Sequence, residues 1–219
     1  QSGAKNRSNR RMSKSDDAMA DQKKAAHAAE MGMSSGIEMA ITGKAEREMA
    51  ANLCKKRIRE GSDRAGPGVL SSGERALYLH GGYSDRIFKS GDKIQLETTP
   101  HVKNYHARFM RPIMVENATD QQYKFVESLI KIQDEALNEV KPGVLAVVPD
   151  LIYREGILNI VNKGQYTNKT FYSIGLLMEP SGEEPIAAHP RAKWEFKNGM
   201  NFDNDMQVNG LGRTIITLI

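Results

Sequence analysis

Residues 93–115 read KIQLETTPHVKNYHARFMRPIMV, and their pattern decides the fold. Residues 93–98 and 103–115 are rich in β-branched, aromatic and aliphatic side chains and are separated by Pro100, which reads as a hairpin of two strands. Successive side chains of a strand point to opposite faces. Arg108 and Arg111, three apart, therefore face opposite ways, and only one of them shares a pocket with Glu97. Tyr105 and His106 also point apart.

Downstream lies the clearest helix. Thr119 followed by Gln122 is a capping box, and Phe125, Val126, Leu129, Ile132, Ala136, Leu137 and Val140 fall on one face through residue 140. Lys141-Pro142-Gly143 stops it. Another helix is expected over 145–162, with Pro149 near its true start. The last third is strand-like at 171–178, 194–196, 200–208 and 214–219. Upstream, Asp16 or Asp17 caps a helix running to about Ile41, and a second helix spans 45–60 with Gly61 as its stop. Residues 61–73 read as loop or short strand, and 76–80 as extended chain. The order ααβββααβββ predicts an α+β domain of helices and mostly antiparallel strands in two similar halves.

Charge is unevenly placed. The 219 residues carry 31 Lys+Arg and 27 Asp+Glu, a formal +4. Five of the basic residues, and no acid, lie within residues 1–14, so the remainder holds 26 basic against 27 acidic side chains. A basic tail over 1–14 of this kind is expected to be disordered, with one domain over 15–219. A nearly neutral domain argues against nucleic-acid binding. The single cysteine, Cys54, excludes an intramolecular disulfide and a multi-cysteine metal site. No run of 18 apolar residues predicts a membrane span, and residues 1–14 lack an apolar signal-peptide core, so a cytoplasmic protein is the expectation.

Several markers occur in a fixed order: His80 before a strand, Gly91-Asp92, Glu97, Tyr105 with Arg111 six residues on, Lys141-Pro142-Gly143, Ser173-Ile174-Gly175-Leu176, and Gly199-Met200 with Phe202. From about residue 16 onward the chain thereby resembles the pita-bread family of creatinases, aminopeptidases P, prolidases and methionine aminopeptidases. The resemblance implies a curved, mostly antiparallel sheet with flanking helices in pseudo-twofold halves. It also implies a homodimer acting on a small-molecule substrate. The N-terminal domain usual in larger members is absent from residues 1–219.

Metallopeptidase members hold two metal ions through two Asp, one His and two Glu, the hard ligands such ions require. Carried over by position, the first Asp falls on Glu97, the second on Arg108, the His on Tyr172, one Glu on Asp205 and the last Glu on Arg213. The second catalytic His falls on Glu179. Two guanidiniums, always protonated, oppose cation binding, so the expectation is that the dinuclear site is lost and no cofactor is used. Among metal-independent relatives, ectoine hydrolases resemble this chain more than creatinase does. They share Glu at the first-Asp position, a Tyr-His pair like Tyr105-His106 and a strand like Tyr172–Leu176.

The expected activity is metal-independent cleavage of an amide or amidine C–N bond in a small carboxylated nitrogen compound. Glu97 attacks or activates water, and His80 shuttles the proton. Tyr105, His106, Arg108, Tyr172, Glu179, Glu183, Asp205 and Arg213 are the candidate substrate contacts. A metal-dependent Xaa-Pro peptidase and an inactive scaffold or binding member are the alternatives. His101 and His189 read as surface residues, and Cys54 as a bystander.

Overall fold

The structure, a computed structural model, describes residues 11–65, 68–77, 81–161, 166, 169–176, 186–208 and 212–218, the last segment and 205–208 by backbone alone. Helix α1 (Asp16–Ile37) starts on Ser15, whose side chain accepts from the Ala18 amide. It stops four residues short of the expected Ile41. Helix α2 (Glu46–Arg59) follows. Strand β1 (Leu70–Ser72) leads into a 3-10 helix (Gly73–Leu77), then come β2 (Lys93–Thr98), the miniature hairpin β3 (His101–Val102) and β4 (Tyr105–His106), and β5 (Phe109–Met114). The second half contains α3 (Asp120–Leu137), α4 (Val147–Leu158), β6 (Phe171–Ser173), β7 (Ala187–Ala188), β8 (Phe202–Val208) and β9 (Gly212–Leu218).

Seven strands form one sheet in the order β1-β2-β5-β9-β8-β6-β7, paired antiparallel. The halves β1-β2-β5 and β9-β8-β6 mirror each other and meet where Met110 pairs with Ile215. The same device connects the two helices of each half. Gly43 (φ 90°) donates to the Phe88 carbonyl and Gly143 (φ 87°) to the Phe196 carbonyl. A side chain rarely adopts that left-handed backbone. Isolated bridges Ala45–Ile87 and Leu145–Glu195 complete the match. The expected α+β pita-bread architecture is therefore what the chain adopts.

Each half has its own core. Met33, Met49, Leu53, Leu70, Ile94 and Leu96 fill the first. In the second, Phe171, Trp194, Phe196 and Phe202 pack ring against ring at centroid distances of 5.0–6.3 Å. Such aromatic pairs contribute roughly 0.5–1.5 kcal/mol each beyond their buried area.

Several local expectations change. The hairpin predicted over 93–115 is real, with Lys93 paired to Met114 and Thr98 to Phe109, but its second strand begins at 109 instead of 103. Lys103 and Asn104 both take positive φ (46° and 67°), a tight turn that diverts residues 101–106 into β3–β4. Residues 73–77 are 3-10 helix where extended chain was expected from 76. Residues 194–196 are not a strand; they contribute a single bridge and two core aromatics. Val126 turns outward on α3. The proposed tail is described only from Arg11, and there it is held: Ser13 bridges Met200 and the Lys14 amide donates to the Gly199 carbonyl. Among the described residues, no helix is long and apolar enough to cross a membrane.

Candidate functional site

Glu97 is the fifth residue of β2 and lies opposite Met110 of β5. Arg108 immediately precedes β5, and Asp203 is the second residue of β8, opposite Tyr172 of β6. Curvature of the sheet brings these together. Arg108 Nε donates to Glu97 Oε1 at 2.7 Å, and Arg108 Nη1 lies 3.8 Å from Asp203 Oδ2. All three side chains are buried, at 5%, 6% and 1% exposure. Two carboxylates against one guanidinium leave the trio at −1. Taking such charges out of water costs several kcal/mol per ion and is offset only by tight pairing. Glu97 Oε2 is buried and has no hydrogen-bond partner among the described residues. An unused lone pair on a buried carboxylate is what a site built to accept a proton or a donor presents.

Backbone approach holds Glu97 in place. Its amide donates to the Val69 carbonyl at 2.7 Å, and a Cβ on Gly68 would lie 2.4 Å from the Glu97 carbonyl oxygen. Gly68→Ala is expected to push β2 and Glu97 aside and to lower stability by about 1–3 kcal/mol, measured by urea unfolding.

Of the remaining candidates, His106 donates its amide to the Gly175 carbonyl and has Nδ1 3.1 Å from the same oxygen. Its ring packs against that of His101, tilted by 40° with centroids 4.9 Å apart. His101 is thus buried, contrary to the surface position expected for it. Burial, then the neighbouring His106, pushes its pKa below the ordinary imidazole value. Tyr105 is half-buried on β4 opposite Val102. Tyr172 neighbours Asp203 across the strands and carries the Lys169 ammonium 5.5 Å above its ring. Asp205 and Arg213 are placed by backbone register, opposite Ile215 and Gln207; their side chains lie outside the description. His80, Glu179 and Glu183 fall outside the described residues. Arg111 faces the other way, lining a cavity of about 640 Å³ between α1 and β5 with Glu30, Met33 and Ile37.

Asp203 is the residue that sequence reasoning missed. The signal was present, since it stands two residues before Asp205 on a strand and so shares its face.

Comparison with known proteins places this geometry in context. The model of the metallopeptidase family M24 matches residues 20–214. The Xaa-Pro dipeptidase of Pyrococcus horikoshii is 28% identical over 155 residues, covering 70% of this chain and 44% of that protein. The solved prolidase from Pyrococcus furiosus superposes with a TM-score of 0.83 at 24% identity, covering 94% of this chain and 61% of its own. A solved dipeptidase from Pyrococcus horikoshii gives 0.81 at 27% identity, covering 96% and 58%. The chain thus spans less than half the length of the Xaa-Pro dipeptidase it matches.

These matches overturn the expectation that no metal is used, because the matching family is one of metallopeptidases and the relatives are dipeptidases. The described residues do not by themselves fit a two-ion centre. A guanidinium lies against Glu97 and Asp203, and no group of three Asp, Glu, His or Cys capable of holding an ion occurs among them.

Proposed function

Since this chain belongs to metallopeptidase family M24, we propose that it is the catalytic-type domain of a hydrolase acting on small Xaa-Pro peptides. The similarity to Xaa-Pro dipeptidases supports this substrate class over the ectoine- or creatine-like compounds that the residue pattern alone suggested. The observation that carries the reading is the buried Glu97–Arg108–Asp203 cluster, with Glu97 Oε2 unbonded.

In this reading Glu97 takes a proton from the attacking water, whose oxygen bonds to the scissile carbonyl carbon as the C–N bond to proline breaks, and Arg108 holds Glu97 in position. His80 returns the proton to the leaving nitrogen. Tyr105, His106, Tyr172, Glu179, Glu183, Asp205 and Arg213 form the substrate wall, and the protein works as a cytoplasmic homodimer.

One observation favours a second reading. Glu97 Oε1 is already engaged by Arg108 at 2.7 Å, which suits a protein that binds peptides without cleaving them. A panel of Xaa-Pro dipeptides, assayed for proline release with manganese, cobalt or zinc and again with a chelator, separates the two. Turnover of one or more dipeptides is the expected result. Calorimetric binding without proline release would support the binding protein instead.

A further inference from the structure

Gln22 is an uncharged polar residue near the start of α1, and it is fully buried. Buried amides persist when their donors and acceptors are paired, and those of Gln22 are paired across the molecule. Its Nε2 donates to the His106 carbonyl at 2.9 Å. Its Oε1 accepts from Asn201 Nδ2 at 2.5 Å. The Asn201 carbonyl accepts from the Ile174 amide at 3.1 Å, and the Gly175 carbonyl accepts from the His106 amide at 2.9 Å. The bonds close a ring: Gln22, His106, Gly175 with Ile174, and Asn201.

This ring joins the two halves. Gln22 and His106 come from the first, Gly175 and Asn201 from the second. It also flanks the site on both sides. His106 is two residues from Arg108, and Asn201 two residues from Asp203, one repeat along an extended chain, about 6–7 Å. Arg108 and Asp203 themselves face each other across the halves at 3.8 Å.

We propose that Gln22 is a positioning residue: it clamps the wall formed by residues 172–176 against the β3–β4 hairpin and so sets the spacing of Arg108 from Asp203. Both ends of its amide are used, so its orientation is fixed by donor–acceptor pairing. A glutamate accepts from Asn201 but cannot donate to the His106 carbonyl, and a methionine of similar shape can do neither. The clamped wall carries His106 and Tyr172, assigned above to substrate contact, so loosening it removes binding made equally in the ground and transition states and is read in KM. The functional part of this inference rests on the peptidase reading; the clamp itself does not.

Two measurements keep them apart. In Gln22→Met, amide hydrogen exchange at Ile174 and His106 is expected to accelerate about tenfold or more, with α3 and α4 unchanged. KM for the dipeptide substrate is expected to rise about tenfold, with kcat within about threefold. The double variant Gln22→Met/Asn201→Leu, which removes the orphaned amide of Asn201, is expected to recover thermal stability but not KM. Unchanged exchange at Ile174 and His106, or exchange that rises uniformly through the chain, overturns the clamp. Recovery of KM together with stability in the double variant reduces Gln22 to a structural role and overturns the positioning claim. Absence of turnover in the unmodified protein defeats the peptidase reading alone, and the exchange result still decides the clamp.

Discussion

Arg108→Met is expected to destabilise the fold by about 3–5 kcal/mol, because it strips the shared cation from two buried carboxylates. Glu97 and Asp203 are 5% and 1% exposed, and neither can turn to water without opening the sheet. Like charges held in a low-dielectric site disfavour ionisation, so in the variant one of the two acids takes up a proton at higher pH than usual. The folded state then binds more protons than the unfolded chain, and lowering the pH from 8 toward 5 shrinks the deficit. Adding Glu97→Gln to the variant removes one of the two charges and is expected to recover about half the loss. Guanidinium titrations at several pH values measure all three effects. A loss below about 1 kcal/mol with no pH trend would show that Arg108 does not neutralise this pair.

Glu46→Gln is the second large effect, at about 1.5–3 kcal/mol. Glu46 opens α2 and is fully buried. Its Oε1 accepts from the Ser72 amide and hydroxyl at 2.8 and 2.7 Å. Its Oε2 accepts from Arg75 Nη1 at 2.6 Å and from the Ser84 amide and hydroxyl at 2.7 Å. Five donors converge on two oxygens, and a glutamine would turn an NH2 group toward some of them. The contacts pin β1, the 3-10 helix and the segment at Ser84, which lie on either side of residues 78–80.

Burial alone pushes the Glu46 carboxyl upward, but hydrogen bonds from Ser84, Ser72 and Arg75 outweigh it and hold the pKa below the ordinary value. The folded pKa therefore lies below the unfolded one, about 4.3. Its stabilisation is fully present above the unfolded value and is lost as pH falls through the folded one. Glu46→Gln is expected to lower stability at pH 7 and to flatten the acid limb of the stability curve.

Much of this architecture was readable beforehand because local signals agreed with the global fold. Thr119 and Gln122 cap α3 as their spacing implied, with Thr119 Oγ1 accepting from the Gln122 amide at 3.2 Å and the Thr119 amide donating to Gln122 Oε1 at 2.8 Å. The opposite facing of Arg108 and Arg111 followed from strand alternation, and the structure places one against Glu97 and the other against α1.

What escaped reading depends on distant contacts. Nothing near Gln22 announces that His106 and Asn201 will meet it, 84 and 179 residues away. The contact of His101 with His106 depends on two consecutive residues, Lys103 and Asn104, adopting positive φ, which β-rich neighbours conceal. Asp203 shares a strand face with Asp205, and the family pattern marks only the latter. Arg108 at a ligand position reads as loss of a metal site, and membership of a metallopeptidase family corrects that reading.

Proline release by the unmodified protein and by Glu97→Gln, on the best dipeptide of the panel and at equal folded concentration, tests the central claim most directly. The account predicts turnover by the first and a loss of at least about a hundredfold in kcat/KM in the second, on the scale of a general base removed. Equal turnover by both proteins would contradict the role given to Glu97.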